Sequence, residues 1–281
     1  MSVLAFPMPT PPACAVCGGG QLDPVEQAAG HPLVECARCR VWSVHPVPSR
    51  EQLEAAYDED YYVPWRSEAG ARRRMWRRRL RLLRDAKRGR LLDVGCAEGS
   101  FIAQARDAGF AVEGTELSAH GARRTARGLG VPVFHGELVE AGYPACSFAV
   151  VTIWHVLEHM LHPGEALAEA RRILEPDGTL VVAVPNRDNP VFRAAYRLAR
   201  RRPLHLYHPD DREQHLHHWN PAALAVALEL AGFDLLSIVP DPCATGLVKG
   251  IVDRVGRIHS WLAGTPRTSA MVALAAPSKE T

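Results

Sequence analysis

The sequence has 281 residues, of which 47% are hydrophobic and 23% charged, with a formal net charge of +2. These are ordinary values for a globular protein, so intrinsic disorder, collagen-like repeats and a fibrous fold are excluded. No apolar run approaches the roughly 20 residues of a membrane-spanning helix, and the proline-rich start has neither the basic flank nor the apolar core of a signal peptide. We therefore expect a cytoplasmic protein that makes no membrane contact.

Four cysteines near the start form two closely spaced pairs. Cys14 and Cys17 make the first pair and Cys36 and Cys39 the second, with 18 residues between the pairs. This is the two-knuckle spacing of a structural zinc site, in which two C-x2-C turns complete a tetrahedron of thiolates. We predict a zinc ribbon over residues 1–48. Because all four coordination positions hold sulfur, its predicted role is structural.

Residues 49–88 are predicted to form a helical linker or lid. Ser49 can cap a helix that carries Leu53, Ala56 and Tyr57 inward. Beyond it, residues 71–90 contain eleven arginines or lysines and one acid, whereas the other 261 residues hold 22 basic and 30 acidic side chains. Five apolar side chains of this basic segment share one helix face and leave the arginines on the other: Met75, Trp76, Leu80, Leu83 and Ala86.

Two interpretations of the arginine face remain open. It could hold the phosphates of a nucleic acid or an anionic substrate. Alternatively, it is a solvated face that pairs in part with the acidic stretch at residues 58–60. We favour the second interpretation.

From residue 89 onward, short apolar strands alternate with helical stretches, which indicates a parallel sheet covered by helices on both faces. The first strand runs into a turn at Gly95 and Gly99, where small residues let backbone amides approach a ligand. Glu116 follows the second strand, and a carboxylate there suits two ribose hydroxyls because it accepts two hydrogen bonds at once. The predicted elements of this unit are strands at 90–94 and 111–115 and helices at about 100–108 and 119–129.

Two ligand classes compete for this unit. A dinucleotide fold favours G-x-G-x-x-G, but here three residues separate Gly95 from Gly99, and Asp93 stands two residues before the first glycine. That carboxylate would repel a pyrophosphate and attract the ammonium group of an amino-acid moiety. S-adenosylmethionine carries such an ammonium together with a ribose and an adenine, so the sequence favours it.

Further along the chain, Phe148–Ile153 is predicted to be the fourth strand. Apolar spacing predicts a helix over residues 245–262, which could close the acceptor pocket or form a dimer surface. The stretch 269–275 reads as the last strand, antiparallel to its neighbours.

Taken in order, these motifs resemble those of the class I S-adenosylmethionine-dependent methyltransferases. The resemblance covers about residues 90–240, and the cysteine pairs together with Tyr57–Tyr62 resemble the zinc-ribbon-bearing branch, which often modifies sugars or natural products. It implies a doubly wound, seven-stranded, mostly parallel α/β sheet over residues 89–281. The matching segments are Leu92–Phe101, Glu113–Ser118, Gly136–Leu138, His155–His159, Leu174–Leu180, Val184–Asn186, Gln214–Pro221 and Ala231–Phe233.

The resemblance also implies a set of cofactor contacts. Asp93 and the amides from Gly95 to Gly99 would hold the methionine end, and Glu116 the ribose hydroxyls. Leu117 would cover one adenine face, and Glu137 with Leu138 would meet the adenine edge. The expected set is completed by Cys96, Ala97, Phe101, Trp154 and His155. Two departures from the family pattern are Ala97, where a glycine is usual, and Glu137, where aspartate is more usual.

Histidine is the natural base near neutral pH, and several histidines lie near the expected pocket. His155 and His159 follow the fourth strand, and at spacing i, i+4 they share a helix face if that turn is helical, which would also suit a metal. His155 is our first choice for acceptor contact or base, and His215 the second. For His159 a buried capping role weighs evenly with a catalytic one.

We predict an enzyme that methylates a small-molecule acceptor, at a hydroxyl, in secondary-metabolite or saccharide tailoring. The alternatives are C- or N-methylation on the same scaffold, methylation of a nucleic acid held by the arginine face, and a non-catalytic protein that binds the cofactor. No nucleic-acid partner is expected, and the protein is expected to be a monomer or a homodimer.

Overall fold

The computed structural model describes residues 13–28, 31–51, 69–201, 204–208, 211, 214–241 and 247–279. Its strands are β1 (Leu22–Ala28), β2 (His31–Cys36), β3 (Trp42–Val44), β4 (Arg90–Val94), β5 (Ala111–Glu116), β6 (Val133–His135), β7 (Phe148–Trp154), β8 (Leu174–Pro185), β9 (His217–His218), β10 (Phe233–Asp241) and β11 (Ala270–Pro277). Its helices are α1 (Ala69–Leu80), α2 (Ser100–Asp107), α3 (Ala119–Leu129), α4 (Pro163–Ile173), α5 (Pro190–Arg200), α6 (Pro221–Leu230) and α7 (Leu247–Ala263).

Seven strands form the main sheet, in the order β10-β11-β8-β7-β4-β5-β6. Every pairing in it is parallel except the two made by β11, which is antiparallel to β8 and to β10. The predicted α/β sheet with an antiparallel last strand is therefore confirmed. The predicted strands at 90–94, 111–115 and 148–153 correspond to β4, β5 and β7, each within one residue.

Alternate side chains of the central strands enter two separate cores. Leu91 and Val150 pack with α1 and α2 on one face, whereas Leu92 and Val151 pack with α4 and α6 on the other. Apolar side chains on both faces of a strand are typical of a sheet covered by helices on both sides. This doubly wound arrangement brings the carboxyl ends of β4, β5 and β7 to a common edge.

The arginine-rich helix α1 lies against α2 with its apolar stripe inward, as the sequence predicts. Trp76 is buried at its centre, and Leu83 is buried in the short 3-10 turn that follows. Arg79 contradicts the expectation of a uniformly solvated arginine face, since only 3% of it is exposed. The remaining described arginines of this region are at least partly exposed: Arg72, Arg73, Arg74, Arg77, Arg78 and Arg81.

The N-terminal strands belong to a second sheet, ordered β1-β2-β3-β9. Its last strand comes from the larger domain: Trp42 pairs with His218 and Ser43 with His217. The first cysteine knuckle also packs on α4, where the amide of Gly164 donates to the carbonyl of Ala15 at 3.2 Å. The predicted ribbon at 1–48 thus shares a sheet and a core with the predicted catalytic domain at 89–281.

Some predicted features fall outside the described residues. These are the helix with Leu53, Ala56 and Tyr57 and the acidic stretch at 58–60. The helix predicted at 245–262 is present as α7 from its third residue onward. None of the helices in the part of the chain that the structure describes has the length and apolarity to cross a membrane.

Candidate cofactor and acceptor site

The turn after β4 needs its glycines. Gly95 and Gly99 have φ of +69° and +71°, in the left-handed region that favours glycine. A Cβ on Gly95 would lie 2.4 Å from the Val156 side chain, so the turn is also too tight for alanine there. Ala97 also adopts a positive φ, +49°, although it is not a glycine. Two hydrogen bonds stabilise this conformation: the Ala97 amide donates to the Glu116 carboxylate, and the Ala97 carbonyl accepts from Thr125 Oγ1 at 2.6 Å.

Asp93 lies at the carboxyl end of β4, buried beneath this turn. Its Oδ1 accepts a hydrogen bond of 2.7 Å from the hydroxyl of Thr152 on β7. Burial raises the pKa of Asp93 to about 7, although Thr152 and the nearby charge of Arg79 oppose the shift. Because its carboxylate is buried and has one hydrogen bond among the described residues, a cationic ligand group there would restore the ordinary charge state.

Glu116 ends β5 on the opposite side of the turn. Its carboxylate accepts hydrogen bonds from the amide of Ala97 at 2.8 Å and the amide of Ser118 at 2.9 Å. The Ala97 amide, which we expected to meet the methionine end of the cofactor, is therefore engaged by Glu116. Its two backbone bonds hold the Glu116 carboxylate in place at the cavity wall.

A single cavity of about 580 Å³ joins these groups to the predicted histidines. Its wall includes Asp93, Glu116 and Leu138 as well as His155 and His215. Eleven of the twelve residues predicted to contact the cofactor line it, and Gly99 does not. Glu137 begins the short 3-10 turn Leu138–Glu140, whose Glu140 carboxylate accepts from the Glu137 amide at 2.8 Å.

Three aromatic rings, those of Phe101, Trp154 and Trp76, pack together in the wall of the cavity. Phe101 and Trp154, both predicted cofactor contacts, pack edge to face with ring centroids 5.2 Å apart. Trp76 of α1 packs against both, at 5.5 and 5.9 Å. The guanidinium of Arg79 lies over the rings of Trp76 and Trp154 at 4.7 and 4.9 Å. The arginine-rich helix therefore forms part of the cavity wall.

His155 occupies a strained turn directly after β7, with φ +55°. Its Nε2 lies 2.8 Å from a guanidinium nitrogen of Arg79 and 3.3 Å from Oδ2 of Asp241, and its Nδ1 lies 3.4 Å from Oε1 of Glu158. Both ring nitrogens thus have charged neighbours. Residues 155–162 form turns rather than a helix, so the condition under which His155 and His159 would share a helix face is not met.

The two histidines meet instead across a buried carboxylate. Nε2 of His159 lies 3.9 Å from Oε1 of Glu158, whose side chain is 1% exposed. Burial would raise the pKa of Glu158, but the neighbouring His155 and His159 outweigh it and hold the pKa at about 2. His215 packs against His159 with ring centroids 4.8 Å apart. We refer to His155, Glu158, His159 and His215 as the histidine–glutamate cluster.

His217 and His218 of β9 lie between the ribbon and this cluster, and the ring centroids of His218 and His215 are 6.4 Å apart. His217 accepts a hydrogen bond at Nδ1 from Ser43 Oγ at 2.8 Å and donates from Nε2 to the carbonyl of Met160 at 3.0 Å. Burial lowers the pKa of His217 to about 4, so the ring is neutral near pH 7. The ribbon strand β3 is therefore linked to the loops that carry His159 and His215.

The four predicted zinc ligands converge. Their sulfur atoms all lie within 4.8 Å of one another, with Cys14 and Cys39 separated by 3.6 Å and Cys17 and Cys36 by 3.5 Å. Tetrahedral zinc with bonds of about 2.3 Å places its sulfur ligands about 3.8 Å apart. The donor set and spacing therefore fit a structural zinc ion.

Three site residues were missed by the sequence analysis. Glu158 stands between two selected histidines after a buried strand, which was a usable signal. Asp241 ends β10 at the sheet edge where the other acids lie. Arg79 follows Trp76 by three residues and precedes Leu83 by four, so helical spacing places it on the buried stripe.

The sheet order and the position of the cavity define an α/β protein of the methyltransferase type. A family model described as a methyltransferase domain matches residues 67–238, and the chain belongs to that family. One relative, named "Probable S-adenosylmethionine-dependent methyltransferase" in Mycolicibacterium smegmatis, is 32% identical over 146 residues, 52% of each chain. The ubiquinone biosynthesis O-methyltransferase of Caulobacter sp. strain K31 is 33% identical over 106 residues, 35% of this chain and 41% of its own. The chain thus spans about half or less of these relatives.

Solved structures show the same fold at low sequence identity. An S-adenosylmethionine-dependent methyltransferase of Thermotoga maritima matches 80% of this chain and 98% of its own with a TM-score of 0.56 and 17% identity. A TehB-like methyltransferase of Corynebacterium glutamicum matches 80% and 100% with a TM-score of 0.51 and 18% identity.

Proposed function

We propose that the protein transfers the methyl group of S-adenosylmethionine to a hydroxyl of a small-molecule acceptor, in natural-product or saccharide tailoring. One observation carries this proposal. A continuous cavity runs from the acids at the ends of β4 and β5 to the histidine–glutamate cluster. The cavity therefore offers a cofactor end and an acceptor end in a single enclosed space.

The cofactor end suits a nucleoside joined to an amino acid. We assign the ammonium group to Asp93, whose buried carboxylate would gain a charge partner, and the ribose hydroxyls to Glu116. Leu117 and Leu138 provide apolar surface for the adenine, and Glu137 lies at its edge. The bound cofactor supplies a methyl group on a sulfonium, which an oxygen nucleophile displaces in line.

The chain has two tasks at the acceptor end. It must align the acceptor oxygen with the methyl group and exclude water. The packed aromatic rings and α1 provide the apolar wall for both. It must also remove the hydroxyl proton, which we assign to the histidine–glutamate cluster. Within the cluster, His155 is held between Arg79 and Asp241, so we infer that it orients the acceptor as well as accepting the proton.

The hydroxyl acceptor is supported by two lines of evidence. Imidazole and carboxylate groups meet at the acceptor end, as deprotonation of an oxygen requires. The Caulobacter relatives carry the name ubiquinone biosynthesis O-methyltransferase, at 33% identity. We further propose that the four cysteines bind one structural zinc ion, which stabilises the ribbon and, through His217, the loops of the acceptor end.

Transfer of a labelled methyl group tests the function. Purified protein is incubated with S-adenosylmethionine carrying a 13C-methyl group and panels of phenols, catechols and saccharides, and products are located by NMR. We expect the label in a methoxy group. A label on carbon or nitrogen, or transfer only to nucleic acid, would replace the O-methylation proposal, and cofactor binding with no transfer to any panel member would favour a non-catalytic role.

Two variants accompany this assay: Glu116→Ala tests the cofactor site, and Glu113→Ala is its matched control. Glu116→Ala is expected to lose transfer in proportion to its loss of cofactor binding. Glu113→Ala, on the same strand but in a surface ion pair with Arg90, is expected to keep both.

A further inference from the structure

We propose that Glu158, His159 and His215 bind a divalent metal ion at the acceptor end of the cavity, as a site separate from the cysteine cluster. One carboxylate and two imidazoles are the ligands of many open metal sites, including His2Glu zinc sites and 2-His-1-carboxylate iron sites. The expected ions are those that prefer nitrogen and oxygen ligands, such as Mn²⁺, Fe²⁺, Co²⁺ and Zn²⁺.

The ligand atoms are already gathered. One ring nitrogen from each histidine and one carboxylate oxygen lie within 4.8 Å of one another. Ligands bound to a single ion at about 2.1 Å lie about 3.0–3.5 Å apart, so small side-chain rotations bring the three groups into coordination. His215 and His159 are only partly buried and line the cavity, which leaves a path for an ion to enter.

The hydrogen bond of His159 determines which nitrogen faces the site. Nδ1 of His159 lies 2.8 Å from the carbonyl of Gln214, and a carbonyl can only accept, so Nδ1 carries the proton. In the neutral ring, Nε2 then presents its lone pair towards Glu158 Oε1, 3.9 Å away. A lone pair facing a carboxylate is unfavourable unless a proton on Nε2 or a metal cation lies between them. A bond from the distal nitrogen to a carbonyl is the usual support of a metal-binding histidine.

Glu158 provides the second, independent observation. Its side chain is 1% exposed, and neither carboxylate oxygen has a hydrogen-bond partner among the residues that the structure describes. Buried carboxylates are costly unless paired or coordinated to a metal. His155 lies 3.4 Å away and could compensate the charge as an imidazolium. That arrangement needs no metal, and the test below separates the two.

A metal here would deepen the proposed function, and this step rests on that function. Three protein ligands leave open coordination positions, which the acceptor hydroxyl or two adjacent acceptor oxygens can fill. A divalent ion lowers the pKa of a bound hydroxyl. The hydroxyl proton passes to His155, an oxygen lone pair forms the bond to the methyl carbon, and the carbon–sulfur electron pair stays on sulfur as a thioether. Acceptors with vicinal oxygens are therefore the favoured class.

Mn²⁺ binding to the full chain tests the site without any assay of activity. Mn²⁺ is a weak competitor for thiolates, so it should not displace cysteine-bound zinc. Protein washed with chelator until one zinc per chain remains is titrated with MnCl₂, and the loss of the free-ion EPR signal measures binding. We expect one Mn²⁺ per chain. Glu158→Gln and His215→Ala should each weaken binding by about 100-fold or more, with zinc content unchanged.

His135→Ala is the matched control, because it removes an exposed histidine of β6 outside the cluster. It should bind Mn²⁺ as the unmodified chain does. The proposal is overturned if the unmodified chain binds no Mn²⁺, or if both cluster variants bind it normally. Should Glu158→Gln fail to fold, as judged by circular dichroism, His215→Ala on its partly exposed loop decides the outcome.

The two proposals can fail separately. Transfer to hydroxyl acceptors by a protein that binds no Mn²⁺ would overturn the metal site and leave the methyltransferase function. One Mn²⁺ per chain, lost in the cluster variants, without transfer to any oxygen acceptor would keep the metal site and overturn O-methylation.

Discussion

Arg79 and Asp241 form a buried ion pair that fixes the position of His155. Arg79 Nε donates to Asp241 Oδ1 at 3.2 Å, and a second guanidinium nitrogen contacts Oδ2 of the same carboxylate. Both side chains are 3% exposed. The pair joins the arginine-rich helix to the end of β10, across 162 residues of sequence. An arginine that the composition placed on a solvated face therefore belongs to the acceptor end of the cavity.

Breaking this pair should separate stability from function. Asp241→Leu removes the carboxylate partner of a buried guanidinium and is expected to lower the free energy of unfolding by about 3–5 kcal/mol. The double variant Arg79→Met/Asp241→Leu should recover most of that loss, because apolar pairs replace buried ion pairs well. Its turnover should stay low, since Nε2 of His155 has lost its contacts with Arg79 and Asp241. Urea unfolding and turnover at saturating cofactor measure the two effects; a double variant with full turnover would remove the positioning role.

The two cofactor acids should each matter for binding. Asp93→Ala and Glu116→Ala are expected to weaken S-adenosylmethionine binding by about 10- to 100-fold, the range for loss of a charged hydrogen bond. Glu113→Ala is the control, since this glutamate pairs with Arg90 outside the cavity. Isothermal titration calorimetry measures all three. Unchanged affinity in either acid variant would refute its assignment.

Cofactor binding should depend on pH through Asp93. Its pKa is raised to about 7, so the free side chain is increasingly protonated below pH 7, and the ammonium of the cofactor requires the ionised form. Affinity is therefore expected to fall about 20-fold between pH 7.5 and 5.5, with release of a proton on binding at the lower pH. Calorimetry in buffers of different ionisation enthalpy detects that proton. Asp93→Asn should flatten the profile; a variant that keeps the full pH dependence would exclude Asp93 as its source.

Loss of the zinc ion is expected to lower turnover, because the ribbon that it stabilises pairs with β9 next to the acceptor end. Metal analysis is expected to give about one zinc per chain bound by the cysteine cluster. Cys36→Ser should lose it and unfold the ribbon, and because β3 pairs with β9, turnover should fall more than cofactor affinity does. The control is Cys146→Ser, which changes an exposed free cysteine and should alter neither. A zinc-free protein with normal turnover would contradict this link.

Local patterns predicted much of the fold. The strands β4, β5 and β7 and the helix α3 were placed within about one residue, because apolar runs and glycine turns are properties of short segments. The doubly wound, seven-stranded architecture came instead from the family resemblance. The docking of the ribbon was not predicted, because β9 is two residues long and leaves no periodic pattern.

The site was predicted less completely, and for a physical reason. The sequence pointed to His155, His159 and His215 because histidine is the natural base near neutral pH and these residues were expected near the pocket. Their contacts with one another, however, depend on residues that are remote in sequence. Residues 155–162 form turns instead of a helix, and the rings of His155 and His159 both lie near the Glu158 carboxylate. Arg79 and Asp241 were missed because burial of a charge depends on a partner that is remote in sequence.

The most direct test is a crystal structure of the protein with S-adenosylhomocysteine. We predict that the ribose hydroxyls lie within hydrogen-bond distance of the Glu116 carboxylate, with the amino group beside Asp93. The sulfur should face the histidine–glutamate cluster. A nucleoside bound elsewhere, or a cavity that the ligand cannot enter, would contradict the account.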